Sequence, residues 1–356
     1  MSANLPIRRS ALHSLELGEL SGYVRAVKAA FITRTGPSEV IQYGDLPDPT
    51  PSANQCLIKV HATDVNPIDV YWRGGMVPAK MTFPFILGRD LAGEVVECGK
   101  AVRHFQVGDR VWCSNLGFGG RQGSFAQLCA VEEEWLHPIP ANVKDEDMAA
   151  NALSGITTHL GLVGRAQLKP GETLFVNGGS GGVGSCVVQM GKILGARVFT
   201  TAGSEAKMAI CRELGADVVL NYKTDDIAAK LCELAPNGVN VWWETVREPD
   251  FDRVVAALAP RGRMVLMAGR DARPQFPVGP FYVKDLALHG FAMFNASAEE
   301  QRPAADAINE WMAKGKLKAR IDRVLPLSEA AQAHRLQEES TLGKSGALAG
   351  KIVLKV

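Results

Sequence analysis

Apolar and polar positions change rhythm part-way along the chain. From Val27 to about Val131 the apolar residues come in short runs between loops rich in Pro and Gly. VKAAFI (27–32), QCLIKVHA (55–62), AGEVVEC (92–98) and DRVWC (109–113) read as strands, and strands at this spacing predict a small β-barrel or sandwich. Eight glycines between Gly88 and Gly123 suit its tight corners and bulges. Beyond about Leu153 continuous apolar strands alternate with helices. TLFVN (173–177) leads into a helix from Gly182 to Leu194; Val183, Val187, Met190 and Leu194 line one face and Gly195 stops it. ARVFTT, helix EAKMAICREL (N-cap Ser204, C-cap Gly215), DVVLN, helix DIAAKLCEL, VNVWWE, helix FDRVVAALA, GRMVLMAG and DLALHGF follow in turn. Strands apolar throughout are buried on both faces. Repeated βαβ units with right-handed crossovers predict a doubly wound parallel sheet, so the fold class is α/β. A helix from about Pro303 to Lys314 comes next, and pattern alone assigns no partner to the closing IVLKV.

A length of 356 residues fits two domains. With 46% hydrophobic and 22% charged residues, most of the chain is not disordered. The 39 basic and 38 acidic residues leave a formal charge of +1, which gives no global field for nucleic acid or an anionic membrane. No apolar run approaches the ~18 residues of a membrane span. The seven cysteines include no CxxC pair, so neither a disulfide framework nor Cys-rich zinc is expected. Free thiols in a reducing cytosol are expected instead, which implies a cytoplasmic protein. Residues 1–26 lack the apolar stretch of a secretion signal. Arg8 and Arg9 precede any acid there, as in mitochondrial presequences, and the segment reads as a flexible extension. Only glycine is skewed: 36 residues, a tenth of the chain against about 7% usually.

Five of those glycines fall between Gly178 and Gly184, where TLFVN runs into GGSGGVGS. Gly179, Gly181 and Gly184 fit GxGxxG, and a strand before with a helix after is the context the motif requires. The chemistry is that of the backbone. Without side chains, a pyrophosphate reaches N–H groups at the positive end of a helix. Gly179, Ser180, Gly181, Gly182 and Val183 are the candidate cofactor residues. Gly178 to Gly182 also matches GxSxG, which would make Ser180 a hydrolase nucleophile with Asp250 and His289 downstream. That alternative leaves Gly184 and the glycine-rich β domain unexplained. The second strand ends Thr200-Thr201-Ala202-Gly203-Ser204, without the acid that binds the ribose diol of NAD. Ser204 and Lys207 offer a hydroxyl and a cation, which suit a 2′-phosphate, and Tyr222 reaches the same group or stacks near the adenine. NADPH is therefore expected over NADH.

Taken together these residues resemble the medium-chain dehydrogenase/reductase superfamily. Gly88 to Gly99 (GRDLAGEVVECG) is similar to its GxDxxGxVxxxG signature, and Val107–Val111 and Gly123–Ala126 to the next two. Asn66-Pro67-Ile68-Asp69 with Arg73-Gly74-Gly75 resembles the zeta-crystallin-like quinone oxidoreductase branch; Ala152–Thr158 and Leu214–Asp217 fit as well. The resemblance implies a GroES-like β-barrel catalytic domain (27–152), a Rossmann NADP-binding domain (153–292) and a return to the first domain (293–356), where IVLKV would pair. Zinc-dependent members carry Cys and Gly-His-Glu where Asn66 and Arg89-Asp90 stand, so no metal is implied. The implied activity is hydride transfer from NADPH to quinones or α,β-unsaturated carbonyls. A zinc-independent alcohol dehydrogenase-like enzyme, an enoyl-thioester reductase and a non-enzymatic NADPH-binding protein are the alternatives. The resemblance places Asn66, Tyr71 and Arg73 at the nicotinamide end of the cleft and Thr157 near the carboxamide. It places Gly181, Gly182 and Val183 at the pyrophosphate, Ser204, Lys207 and Tyr222 at the 2′-phosphate, and Gly269 beside the nicotinamide ribose. It also implies a homodimer formed through DLALHGF. Two positions depart from the pattern: Met76 stands where many relatives have a proton-donating tyrosine, and Glu244-Thr245-Val246-Arg247 replaces Asp-x-x-Gly.

Overall fold

Residues 26–77, 81–343 and 345–356 are described by the computed structural model; all of the expected extension but Ala26 lies outside them. The first half is antiparallel. In chain order it comprises β1 (Ala26–Ile32), β2 (Gln42–Pro47), β3 (Gln55–Val65), the short helix α1 (Pro67–Arg73), β4 (Phe85–Ile86), β5 (Leu91–Cys98), β6 (Arg110–Cys113), β7 (Leu128–Glu132) and β8 (His137–Pro138). β1 joins β2 and β4, while β3 pairs with β5 and β7, and β5 leads on to β6 and β8. Two register shifts along β3 and β5 bend this ladder. Gly93 lies at the second, where a Cβ would run into the Lys59 carbonyl oxygen, so only glycine lets the strands close there.

Helix α2 (Asp145–His159) leads to the second half. There β9 (Thr173–Asn177), α3 (Gly182–Ile193), β10 (Arg197–Ala202), α4 (Glu205–Glu213), β11 (Val218–Asn221), α5 (Ile227–Leu234), β12 (Val239–Glu244), α6 (Phe251–Ala257), β13 (Leu258–Leu266), α7 (Val278–Val283) and β14 (Ala287–Gly290) alternate. The strands form one parallel sheet in the order β11-β10-β9-β12-β13-β14. Phe175, Phe199, Val241, Trp242 and Trp243 are wholly buried, as continuous apolar strands covered on both faces require. The order reverses between β9 and β12, and a crevice opens beyond the carboxyl ends of strands at such a switch point.

The chain then forms α8 (Ala298–Ala313), β15 (Ile321–Pro326), α9 (Ala330–Thr341) and β16 (Lys351–Lys355). β16 pairs antiparallel with β3 and parallel with β15, which completes a seven-stranded sheet with the first half. β15 is the first strand after residue 293, and it joins the first half's sheet through β16. Helix α8 touches both sides: Ala304, Ala305 and Ile308 share a core with Leu174 and Val187 and with Ala62 and Trp112, while Asn309 accepts from Trp112 Nε1 and donates to the Pro138 carbonyl. Likewise α2 runs straight across residue 152. Helix α8 also begins before Pro303. Ser297 and Glu300 form a reciprocal capping box, and Pro303 lies inside the helix. No helix among the described residues is long and apolar enough to cross a membrane.

Candidate active site

The glycine loop leaves β9 at the switch point. Gly178 has φ +93° and donates its N–H to Thr201 Oγ1 at 2.9 Å. Gly184 lies against the Gly178 carbonyl, and a Cβ there would collide with it. Gly181 caps α3, with Gly182 and Val183 in its first turn. The loop therefore exposes backbone where a helix starts, the arrangement that suits a phosphate. Three polar residues at neighbouring strand ends support it from below. Thr201 donates to Asn177 Oδ1 at 2.9 Å, and Asn177 Nδ2 donates to Glu244 Oε1 at 2.9 Å. Glu244, wholly buried, also accepts from Trp242 Nε1 (3.0 Å) and Val246 N (2.7 Å). Burial raises the Glu244 carboxyl above its ordinary range, although each of these donors favours the ionised form. Sequence reasoning missed this underlayer. Its signal is a set of polar residues ending three apolar strands.

On the barrel side, α1 starts with its own capping box. Asp69 Oδ2 accepts from Asn66 N at 2.8 Å, and Arg89 Nε donates to Asp69 Oδ1 at 3.1 Å. Asn66 is buried and its amide is fully used. Nδ2 donates to Asp64 Oδ1 (3.0 Å) and Asp90 Oδ2 (2.8 Å), while Oδ1 accepts from Lys351 Nζ. Lys351 also lies 2.6 Å from Asp64 Oδ2. Burial and the neighbouring Asp64 push Asp90 well above the usual carboxylate range; burial raises Asp69 to about 6 against the opposing pull of Arg89. Arg73 points the other way. Its side chain is 1% exposed and pairs with Glu338 of α9 at 2.7 Å. Asn66 and Arg73 are thus both buried, and two of the Arg73 nitrogens, Nε and Nη1, have no hydrogen-bond partner among the described residues.

Tyr71 is different. It is half-buried on α1, and the charges of Arg247, Asp271 and Arg270 act on it, so it faces the loops that follow β12 and β13. Burial raises its phenol, which keeps it a neutral donor at neutral pH. Gly269, with φ +81°, lies against the Arg247 carbonyl in those same loops. Thr157 is buried on α2.

Ser204, Lys207 and Tyr222 gather at the ends of β10 and β11. Ser204 caps α4, accepting from Lys207 N at 3.4 Å, and the Tyr222 phenol lies over Gly203. Lys207 Nζ donates to the Gly346 and Leu348 carbonyls, so the C-terminal loop holds the cation in place. The hydrolase constellation is not assembled. Ser180 is buried, Asp250 is the N-cap of α6, and His289 lies on β14, three strands from β9 and therefore roughly 14 Å across the sheet.

Two family models match the chain. One, the alcohol dehydrogenase GroES-like domain, covers residues 52–141; the other, zinc-binding dehydrogenase, covers 182–310. Quinone oxidoreductase from Rattus norvegicus is 31% identical over 320 residues, covering 90% of this chain and 94% of that protein. The chain belongs to the quinone oxidoreductase branch of the medium-chain dehydrogenases/reductases. An NAD-dependent alcohol dehydrogenase superposes with TM-score 0.83 at 30% identity, covering 92% of this chain and 99% of that one. Escherichia coli quinone oxidoreductase, solved with NADPH, superposes with TM-score 0.79 at 26% identity, covering 93% and 99%.

The family chemistry is oxidoreduction, and the two departures from its pattern acquire places. Met76 is partly exposed just after α1, its N–H on the Tyr71 carbonyl at 2.9 Å. Arg247 Nη1 donates to the Thr341 carbonyl at the end of α9 (3.3 Å), which ties the β12 loop to the barrel side. Among the described residues no group of three or more His, Cys, Asp or Glu is arranged to hold a metal ion.

Proposed function

We propose that this chain reduces quinones or α,β-unsaturated carbonyls with NADPH and needs no catalytic metal. The observation that carries the reading is the supported glycine loop at the β9/β12 switch point, with the neutral Tyr71 phenol facing the neighbouring loops from the barrel side. When bound, the dinucleotide supplies a hydride at its nicotinamide ring. The loop N–H groups of Gly181, Gly182 and Val183 hold the pyrophosphate, and Thr157 and Gly269 border the nicotinamide half. Gly179 and Ser180 form the turn between strand and helix. Ser204 and Tyr222 take the 2′-phosphate, joined by Lys207 as it exchanges the Gly346 and Leu348 carbonyls for that anion. Tyr71 donates to the substrate oxygen as negative charge builds there. Asn66 and Arg73 hold α1, and hence Tyr71, in position. The ammonium of Lys351 lies among Asp64, Asn66 and Asp90, where a metal would need ligands.

A homodimer fits the same chain. β14 is the outer strand of the parallel sheet, with Leu288 exposed on it, and α7 beside it presents Val278, Tyr282 and Val283. A reducing compartment fits the seven free thiols, so the enzyme is read as cytosolic.

The test is oxidation of NADPH, and separately of NADH, against a panel of quinones, enones and enoyl thioesters, with and without a chelator. The expected result is turnover with a quinone or enone, preference for NADPH, no effect of chelation, and a fall of about 100-fold in kcat for Y71F. NADPH binding without turnover on any substrate would leave a non-enzymatic binder, and equal use of NADH would remove the phosphate role of Ser204 and Lys207.

A further inference from the structure

Lys351 is the least expected residue of the site. It opens β16, its side chain is 6% exposed, and it touches both halves of the molecule. On the barrel side its ammonium meets Asp64 and Asn66. On the other side its methylene chain lies under the cofactor loop, where a Cβ on Gly182 would come 2.8 Å from Lys351 Cδ. The Ser154 hydroxyl on α2 is 3.8 Å from that same point, buried and without a hydrogen-bond partner among the described residues.

The charges around it give this placement a purpose. Three buried carboxylates, Asp64, Asp69 and Asp90, stand close to a loop built to receive an anion. Arg89 answers Asp69, and Lys351 is the cation that answers Asp64 and Asp90. The other titratable neighbours are the Cys186 thiol of α3 and the Cys113 thiol beside Asp90, both raised by burial and neutral. A cluster left with excess negative charge would repel a pyrophosphate seated on Gly182 in a region where water screens poorly.

We propose that Lys351 is a positioning residue for the cofactor: it neutralises the buried carboxylates beneath the glycine loop and props Gly182, so that a dinucleotide pyrophosphate can be seated there. The inference rests on the dinucleotide reading above. It adds a residue that touches neither substrate nor the reacting ring, and a reason why a lysine is buried at the domain junction. Removing the ammonium leaves the methylene packing but adds net negative charge, which the carboxylate cluster relieves by taking up a proton as the pH falls.

The experiment measures NADPH affinity by fluorescence titration for the wild-type chain, K351M, K351R and K351Q at pH 8 and pH 5.5, with thermal unfolding alongside. For K351M we expect affinity at least about tenfold weaker than wild type at pH 8 and within about threefold at pH 5.5. K351R should recover most of the loss, because it restores the charge. In turnover the K351M defect should appear in KM for NADPH, with kcat changed less than about threefold. An affinity within twofold of wild type at both pH values overturns the proposal. So does a loss of equal size at both, since a purely structural role carries no such pH dependence. If K351M does not fold, K351Q decides, because it removes the charge and keeps a polar side chain: the pH-dependent loss supports the proposal, and its absence overturns it. A wild-type chain that binds no NADPH at all would instead remove the dinucleotide reading, a separate failure.

Discussion

At the scale of single residues, burial decides what each candidate can do. Asn66 and Arg73 are polar residues in a motif that looks catalytic, yet both are buried: Asn66 is engaged by Asp64, Asp90 and Lys351, and Arg73 pairs with Glu338 of α9. Tyr71, between them on the same helix, is the one left half-open. Helical geometry explains the split, since Tyr71 and Arg73 are two positions apart and cannot share a face. His334 shows burial acting on titration. It is wholly buried on α9, edge-on to Phe125, and burial with the nearby Arg73 and Arg89 pushes its pKa down to about 3. A group whose folded pKa lies below its unfolded value near 6.5 contributes full stability above that pH and loses it as the pH falls toward 3. His137, also lowered to about 3, acts in the same direction. Replacing the ring in H334L should therefore flatten the decline of unfolding free energy between pH 6.5 and 4, by at most about 1.4 kcal/mol per pH unit. Urea denaturation at several pH values measures this, and equal slopes for variant and wild type would count against it.

At the scale of elements, legibility followed how each element is stabilised. The parallel strands and α3 to α6 were readable because their apolar residues repeat and their caps are local: Ser204, Asp226 and Asp250 each accept from a backbone N–H three residues on. The glycine loop was readable for the same reason. Helix α9 was not, because the residues it buries are Ala330, Ala333, His334 and Gln337, none of which stands out in an apolar pattern. Strand β2 (QYGDLP) is mostly exposed and offers no pattern either. The underlayer of the loop has no local signature, because Asn177 and Glu244 are 67 positions apart and the Lys351–Asn66 contact spans 285. Only strand order brings such pairs together. Pro303 invites a helix start, whereas the Ser297–Glu300 box supplies one six residues earlier. S297A should accordingly destabilise the protein by about 1 kcal/mol and lower its melting temperature by about 2–4 °C, read by calorimetry. A change within error would show that tertiary packing alone holds that end.

At the scale of the whole molecule, one edge of each kind of sheet carries a consequence. The outer edge of the parallel sheet presents Val283 at 72% and Tyr282 at 67% exposure beside β14. If two copies meet there, V283D should shift sedimentation from dimer to monomer and leave the circular dichroism spectrum intact; an unchanged sedimentation coefficient would place the interface elsewhere. The seven-stranded sheet has its own history. Strand β3 is translated early, but β16, which covers Ala62, Thr63, Asp64 and Val65, emerges only after the whole parallel-sheet unit has been made. The barrel is thus the first part to leave the ribosome and the last to close. In the interval β3 offers an open strand edge, and Asp64 has no ammonium to meet it. The nascent chain therefore needs its middle folded and out of the way before its two ends can join, and a chaperone or protease would find its target on that waiting edge.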